Sequence, residues 1–298
     1  MEHVPVFLQE ILTIFNPQPG EIYVDATVNG GGHARALAER VGDTGRVIGI
    51  DLDEKLIKML RTRNEQEGRK NIELVHGNYA DLDEILTKLG YQKVDGILFD
   101  LGFSSYHVDE SGRGFSFLRD EPLDMRYDPE RNELTAEKII HTWSSEAIAD
   151  ILYTLGGERY SKRIAARIVA ERAKKRISTS DELAQIIYSS IPRQARTSHG
   201  IHPATRAFQA LRISVNDELA NIEQGICAGA KKLQSGGKLI AISFHSLEDR
   251  SIKLIFKKLN KEQMLALLTL KPIRPSMQEV ISNPQARSAK LRAAQKIA

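Results

Sequence analysis

With one cysteine in 298 residues, the chain cannot close a disulfide within itself, so its core has to fold without staples. Cys227 stands at helical spacing with Leu219, Ile222 and Ile226. It reads as a buried reduced thiol rather than a nucleophile or metal ligand, which suits a reducing cytoplasm. No apolar run approaches the roughly 18 residues that a membrane helix needs. The opening "MEHVPVFLQEILTIF" carries neither a positive leader nor a cleavage site, so a soluble cytoplasmic protein is expected, without a membrane partner. The histidines show no HxxxH or similar ligand spacing, and no required metal is expected. Internal repeats and low-complexity tracts are missing as well. The length allows one large domain, or one domain carrying an insertion.

What is there begins with a rhythm. From Ile22 to Asp100 the sequence alternates short apolar runs with helical spacing. "IYVDAT", "RVIGID", "IELVHGNY" and "VDGILFDLG" read as strands, and "HARALAERV", "EKLIKMLRTRNEQ" and "LDEILTKLG" as helices, the last stopped by Gly90. Near-continuous apolar strands alternating with helices predict a parallel sheet covered on both faces. After Asp100 the rhythm breaks into a long polar, turn-rich stretch, of a kind that usually has a job. Helical patterns follow: "TAEKIIHTW", "SEAIADILYTL", "ERYSKRIAARIVAERAKKR", "SDELAQIIYSSI" and "ATRAFQALRISV". The alternation resumes with the helix "DELANIEQGICAGAKKL", a turn at Gly236 and Gly237, the strand "KLIAISF" and the helix "LEDRSIKLIFKKL". "LLTLKPI" with "AKLRAAQKI" is a candidate closing pair of strands. The reading is an α/β domain, residues 1–104 and 214–298, interrupted by an all-helical insertion at 105–213.

The loop "NGGGH" between the first strand and its helix is the first candidate site. Glycines permit positive φ and close approach, helix-opening amides can donate to an anion, and Asn29 tolerates the left-handed region. The dinucleotide pattern G-x-G-x-x-G/A fits in neither register, and the Gly-Lys-Ser/Thr of a P-loop is absent. Asp51, however, ends the second strand about 20 residues on, where a carboxylate can accept both ribose hydroxyls of an adenosine. Loop and acid predict an adenosine-containing ligand with no pyrophosphate requirement; a tight structural turn plus a surface Asp is the alternative. Asp100 ends the fourth strand at the same carboxyl edge and is followed by Gly102 and Phe103. A carboxylate there can accept protons leaving an exocyclic amine during methyl transfer, or bind the methionine end of a cofactor.

The net charge of +3 is unevenly placed, with twelve Lys or Arg against four Asp or Glu from Ile151 to Val215. Such a surplus attracts phosphate backbone or forms a solvated helix face, and charge alone does not choose. Arg159, Arg163 and Arg167 recur at i, i+4 and i+8 beside an apolar stripe of Tyr160, Ile164 and Ile168. Arg206 and Arg212 extend the basic track, with buried ion pairing as their alternative.

Ten ordered segments carry a closer likeness: "HVPV", "YVDATVNGGGH", "HGNY", "DGILFDLGFSS", "RGFSF", "PLDMR", "HPATRAFQALRI", "NDEL", "ISFHSLEDR" and "NPQARSAKLR". From His3 to nearly the last residue the chain resembles the MraW (RsmH) methyltransferases, which use S-adenosylmethionine to methylate N4 of a cytidine in the decoding region of 16S rRNA. The resemblance implies a class I, Rossmann-like methyltransferase sheet with an inserted helical domain that recognises substrate. It places Gly31, Gly32 and His33 in the cofactor loop, Asp51 at the ribose, Tyr79 beside adenine and Asp100 near the methionine moiety. His107 stands where the family has a cofactor-contacting glutamine, in "SSYH" for Ser-Ser-Pro-Gln. Asn29 replaces a glycine, Glu121 replaces a glycine in what reads as an exposed loop, and the segment from Leu259 to Pro284 is shorter than in longer relatives. The implied substrate is 16S rRNA within the small ribosomal subunit, and the sequence leaves a homodimer open. Phe103 and Phe115 are candidates for stacking on a splayed base, with core packing as their alternative. Arg163, Arg167, Arg206, Arg212 and His245 are candidate RNA contacts. Other readings are a DNA amino-methyltransferase, a nicotinamide oxidoreductase and a noncatalytic RNA-binding assembly factor.

Overall fold

The computed structural model describes residues 5–102, 105–196 and 202–297. The chain forms two compact units, Met1–Gly102 with Leu219–Ala298, and Phe103–Glu218. In chain order the first unit brings α1 (Leu8–Phe15), β1 (Ile22–Asp25), α2 (Gly32–Val41), β2 (Arg46–Asp51), α3 (Glu54–Gln66), β3 (Ile72–His76), α4 (Leu82–Lys88) and β4 (Val94–Asp100). The helical unit follows with α5 (Ser105–Asp109), α6 (Ala136–Thr142), α7 (Ser145–Thr154), α8 (Ser161–Arg172), α9 (Ser180–Ser190), α10 (Arg193–Arg196) and α11 (Ala204–Asn216). The return to the sheet adds α12 (Glu218–Lys232), β5 (Leu233–Ser243), α13 (Ser246–Lys261), β6 (Leu265–Leu267), α14 (Met277–Ser282) and β7 (Lys290–Lys296).

The strands make one sheet in the order β3-β2-β1-β4-β5-β7-β6. The first five are parallel, and β7 runs antiparallel between β5 and β6. Parallel strands buried on both faces need apolar residues at successive positions; Val47, Ile48 and Ile50 of β2 and Ile97, Leu98 and Phe99 of β4 are fully buried. From β1 the chain proceeds outward to β2 and β3, then returns to place β4 on the other side of β1. The crevice of an open α/β sheet lies at such a reversal, beyond the carboxyl ends of the strands. Here that point is the end of β1 and β4, occupied by Asp25 and Asp100. The fold is therefore the α/β sheet with a helical insertion that the strand and helix pattern predicts, in the Rossmann-like form that the resemblance implies.

Three local differences from the sequence reading have physical causes. The first closing strand lies at 265–267 and shares only Leu267 with "LLTLKPI", whose Ile273 forms a bridge to Leu291. Helix α8 begins at Ser161 rather than Glu158, because Gly157 turns with φ +62 and the buried Glu158 carboxylate accepts the Tyr160 amide at 2.8 Å. Arg159 and Tyr160 thus precede the helix instead of opening its stripes. The helical unit runs to Glu218 rather than 213. Asn216 donates to the carbonyls of Met125 and Arg212 and accepts the Tyr127 amide, and Glu218 holds Arg212.

The helical unit has its own core, built from Ile139, Ile140, Ile148, Leu152, Ile164, Ile168, Leu183, Ile187, Phe208 and Leu211. Thr135, Ser144 and Thr179 cap α6, α7 and α9, each side chain accepting an amide of the first turn.

Gly96 in β4 shows how closely the first unit is packed: a Cβ there would lie 2.4 Å from the buried Tyr23 ring and 3.0 Å from Phe15. Gly96→Ala is expected to destabilise the protein by about 1–3 kcal/mol through overpacking. Urea unfolding should show a lower midpoint at an unchanged m-value.

Candidate active site

Three adjacent strands end in an acid. Asp51 closes β2, Asp25 closes β1 and Asp100 closes β4, and β1 lies between the other two. Asp25 is fully buried and Asp100 is 4% exposed, while Asp51 sits at the edge of burial. The two flanking acids named from sequence are thus brought to one rim, and the acid between them was missed. The signal for it was present: "IYVD" ends on an apolar run as "RVIGID" and "GILFD" do.

The loop after β1 ties the three strand ends together. Asn29 adopts φ +46, its amide donates to Asp51 Oδ2 at 3.0 Å, and its side-chain amide donates to the Asp100 carbonyl at 3.4 Å. Thr27 Oγ1 accepts the Asp100 amide at 2.7 Å, and its own amide donates to Asp25 Oδ1 at 3.4 Å. Asp51 Oδ1 also accepts the Asp53 amide at 2.9 Å, and Asp53 caps α3. A glycine at position 29 would supply the left-handed turn but not the tie to β4.

The close approach that the glycines permit is made by the chain itself. A Cβ on Gly31, which has φ +76, would stand 3.1 Å from Leu60, and one on Gly32 would stand 3.1 Å from the Pro5 ring. Pro5, Val6 and Phe7 strap the loop. The Val6 carbonyl accepts from His33 Nε2 at 2.9 Å, and the Phe7 amide donates to Glu279 Oε1 at 2.6 Å. Because a carbonyl only accepts, Nε2 must carry a proton. His33 Nδ1 then faces Asp100 Oδ2 at 3.6 Å, beyond direct hydrogen-bond length.

The electrostatics follow from burial. Removal from water pushes the Asp25 carboxyl up to about 7, helped by the charge on Asp51 and opposed by the amides of Thr27 and Ala34. Ala34 lies in the first turn of α2, so an internal carboxylate acts at the helix end where a pyrophosphate would otherwise bind. Burial, then repulsion from Asp25 and Glu248, raises Asp100 well above the ordinary carboxylate range. Among the described residues, Asp25 Oδ2 and Asp100 Oδ1 are buried acceptors without a hydrogen-bond partner. Buried acceptors of this kind call for a partner that brings protons or positive charge. An ammonium at Asp100 and ribose hydroxyls on the remaining lone pairs of Asp51 fit that demand.

The other residues named from sequence lie as follows. Tyr79 stands in a short 3-10 turn after β3, half-buried and edge-on to Phe99 with centroids 5.7 Å apart. His245 caps α13 in a capping box with Glu248. In the helical unit, His107 is buried between the rings of Phe115 and Tyr127, at 5.2 and 5.0 Å. Phe115 stacks on Tyr127 within the core. Arg212 is buried and holds Glu218 with two bonds of 2.8 and 2.9 Å, the ion-pair alternative. Arg167 pairs with Glu171 at 2.8 Å, whereas Arg163 is exposed and Arg206 half-buried, neither with an acidic partner among the described residues. Phe103 lies outside the described residues. Glu121 is not a bare loop residue: it accepts the Gly114 amide at 2.9 Å, steadying a glycine with φ +73.

Comparison with known proteins adds a family match. The MraW methylase family matches residues 1–297. The ribosomal RNA small subunit methyltransferase H of Clostridioides difficile is 42% identical over 311 residues, covering 99% of this chain and 99% of that one. The proteins of the same name from Caldicellulosiruptor bescii, 41% identical over 99% of each chain, and Ehrlichia chaffeensis, 43% identical over 99% of this chain and 100% of that one, are similar.

Asp25 generates a stability prediction. Its folded value lies above the ordinary 3.8, so the folded protein keeps a proton that the unfolded chain has released. Stability should therefore fall as pH rises from about 4 to about 7, by up to about 4 kcal/mol from this group. Asp25→Asn, which cannot ionise, should flatten that slope in urea melts taken across the window; an unchanged slope would remove Asp25 as its source.

Proposed function

The chain belongs to the MraW methylase family, and from that membership we propose that it transfers a methyl group from S-adenosylmethionine to the N4 amine of a cytidine in the decoding region of 16S rRNA. The observation that carries the reading is the row of three acids at the strand-order reversal, with a buried oxygen on Asp100 that has no hydrogen-bond partner among the described residues. The substrate is rRNA in the small ribosomal subunit, and the protein acts in the cytoplasm; among the described residues no helix is long and apolar enough to cross a membrane.

When bound, S-adenosylmethionine supplies an electrophilic sulfonium methyl. The chain holds its ribose on Asp51, whose carboxylate is already oriented by the Asn29 and Asp53 amides. Gly31, Gly32 and His33 shape the loop, and Tyr79 borders the adenine side. Asp100 accepts from the methionine ammonium and stands ready to take a proton from the attacking amine. A cytidine N4 lone pair is delocalised into the ring, so fixing it in line with the methyl supplies the larger part of the rate, on the order of 7–11 kcal/mol. Proton acceptance adds roughly 10²- to 10⁴-fold. The raised affinity of Asp100 for a proton favours that step, while an arriving cation draws it back toward ionisation. His107, expected from sequence at the cofactor, is instead packed between Phe115 and Tyr127 inside the helical unit and is given no cofactor role. Arg163, Arg167 and Arg206 hold RNA phosphates, Arg167 by exchanging Glu171 for the phosphate, and His245 borders the target base. Arg212 serves indirectly, by fixing the end of α11 through Glu218.

Labelled S-adenosylmethionine with unmethylated small subunits should place label on one cytidine. No transfer to any form of rRNA would reject the reading, and transfer to duplex DNA instead would make the protein a DNA amino-methyltransferase. Asp100→Asn should reduce transfer by roughly 10²- to 10⁴-fold. Asp51→Ala should instead raise KM for S-adenosylmethionine by roughly 10- to 150-fold, the worth of hydrogen bonds to a charged group, with kcat less affected.

A further inference from the structure

The cations of α8 divide into two classes by what they already hold. Toward its C-terminus, Arg167 pairs with Glu171 and Arg172 donates to the carbonyls of Ile140 and Trp143. Beyond it, Lys174 pairs with Glu171, Lys175 with Glu182 and Arg176 with Glu137. At the other end, Arg159, Lys162 and Arg163 are exposed, and none has an acidic partner among the described residues. These three line one wall of an open hollow of about 880 Å³ between α7 and α8. The opposite wall presents Glu146, Asp150 and Tyr153, a residue that is 64% exposed.

We propose that this hollow docks an unpaired segment of the RNA substrate. The inference rests on the rRNA reading above and adds a site to it. Nucleic acid matches the lining on both sides. Phosphates need the uncommitted cations of the α8 wall, and a carboxylate wall opposite repels them, so the backbone runs along α8. Unpaired bases carry exocyclic amino and ring N–H donors, which Glu146 and Asp150 accept from the α7 side. Tyr153 offers an open aromatic face on which a base stacks, as single-stranded binding surfaces do. A duplex would hide those base edges, so the segment is a loop or a junction. The volume falls within the roughly 300–1,000 Å³ typical of ligand sites. The cations toward and beyond the C-terminus of α8 already hold acids or carbonyls and contribute less.

The test uses the full-length protein and unmethylated 16S rRNA, with binding measured across a salt series and methyl transfer measured in parallel. The triple variant Arg159→Ala, Lys162→Ala, Arg163→Ala changes exposed side chains only. It should bind more weakly, with a slope of log affinity against log salt shallower by about 2, from three phosphate contacts at about 0.7 each. Tyr153→Ala should weaken binding roughly 5- to 150-fold, the range for one lost stacked base, and Tyr153→Phe should restore it. Parent-like affinity and salt slope in the triple variant would overturn the hollow while leaving the methyltransferase reading intact. If Tyr153→Phe binds as poorly as Tyr153→Ala, stacking is not the contact and the proposed docking mode is overturned. RNA binding that depends on these residues, in a parent that transfers no methyl to rRNA, would support the hollow and reject the reading. A parent that binds no RNA would overturn both.

Discussion

The structure is organised by the repulsion among carboxylates that share the carboxyl edge of one sheet. Asp51, Asp25 and Asp100 end three neighbouring strands, and two of them are buried where water cannot screen them. Charges in that setting are unfavourable unless paired or neutralised. The chain relieves part of the burden with amides, from Asn29 and Asp53 to Asp51 and from Thr27 to Asp25. What remains on Asp100 and Asp25 is the chemical demand for a cationic, proton-bearing ligand. A methyl donor with an ammonium and a sulfonium answers that demand in a way a pyrophosphate would not.

The loop that carries Asn29 does two jobs with one conformation. Its left-handed turn lets the chain pass from β1 into α2, and its side chain reaches across to β4. The segment Pro5–Phe7 then presses on Gly32 and sets the proton on His33 Nε2, so residues far from the sheet edge in sequence decide which nitrogen faces Asp100. Glu279 enters by the same route, through the Phe7 amide, from the opposite end of the chain. A site read as a short motif is held by contacts from both ends of the chain.

The helical unit shows that composition and function separate at the level of pairing. A basic stretch of twelve cations against four acids becomes, once folded, one group of cations paired with acids or carbonyls and another that has no acidic partner among the described residues. Arg212 belongs to the first group, because a buried guanidinium requires a carboxylate and Glu218 supplies it with two bonds. The turn at Gly157 and Glu158 shifts Arg159 out of helical register, so its neighbours in space are not those that a period of 3.6 would give it.

Periodicity determined a great deal unaided: the alternation of apolar runs and helices, the interruption after Asp100, and the placement of Asp51 and Asp100 at strand ends all depend on local spacing. Loop chemistry was legible in the same way, since Asn29 tolerates positive φ on its own account. Asp25 was within reach, as its run ends like those of its neighbours, but its importance comes from lying between two other acids, and strand order is not written in spacing. Tertiary structure alone decided which cations are committed, that His245 caps a helix, that Glu121 steadies Gly114, and that Pro5 and Leu60 fill the space beside the glycines. The reason is common to all of these: a side chain's partner, and hence its charge and availability, is chosen by distance in space, whereas the sequence specifies only distance along the chain.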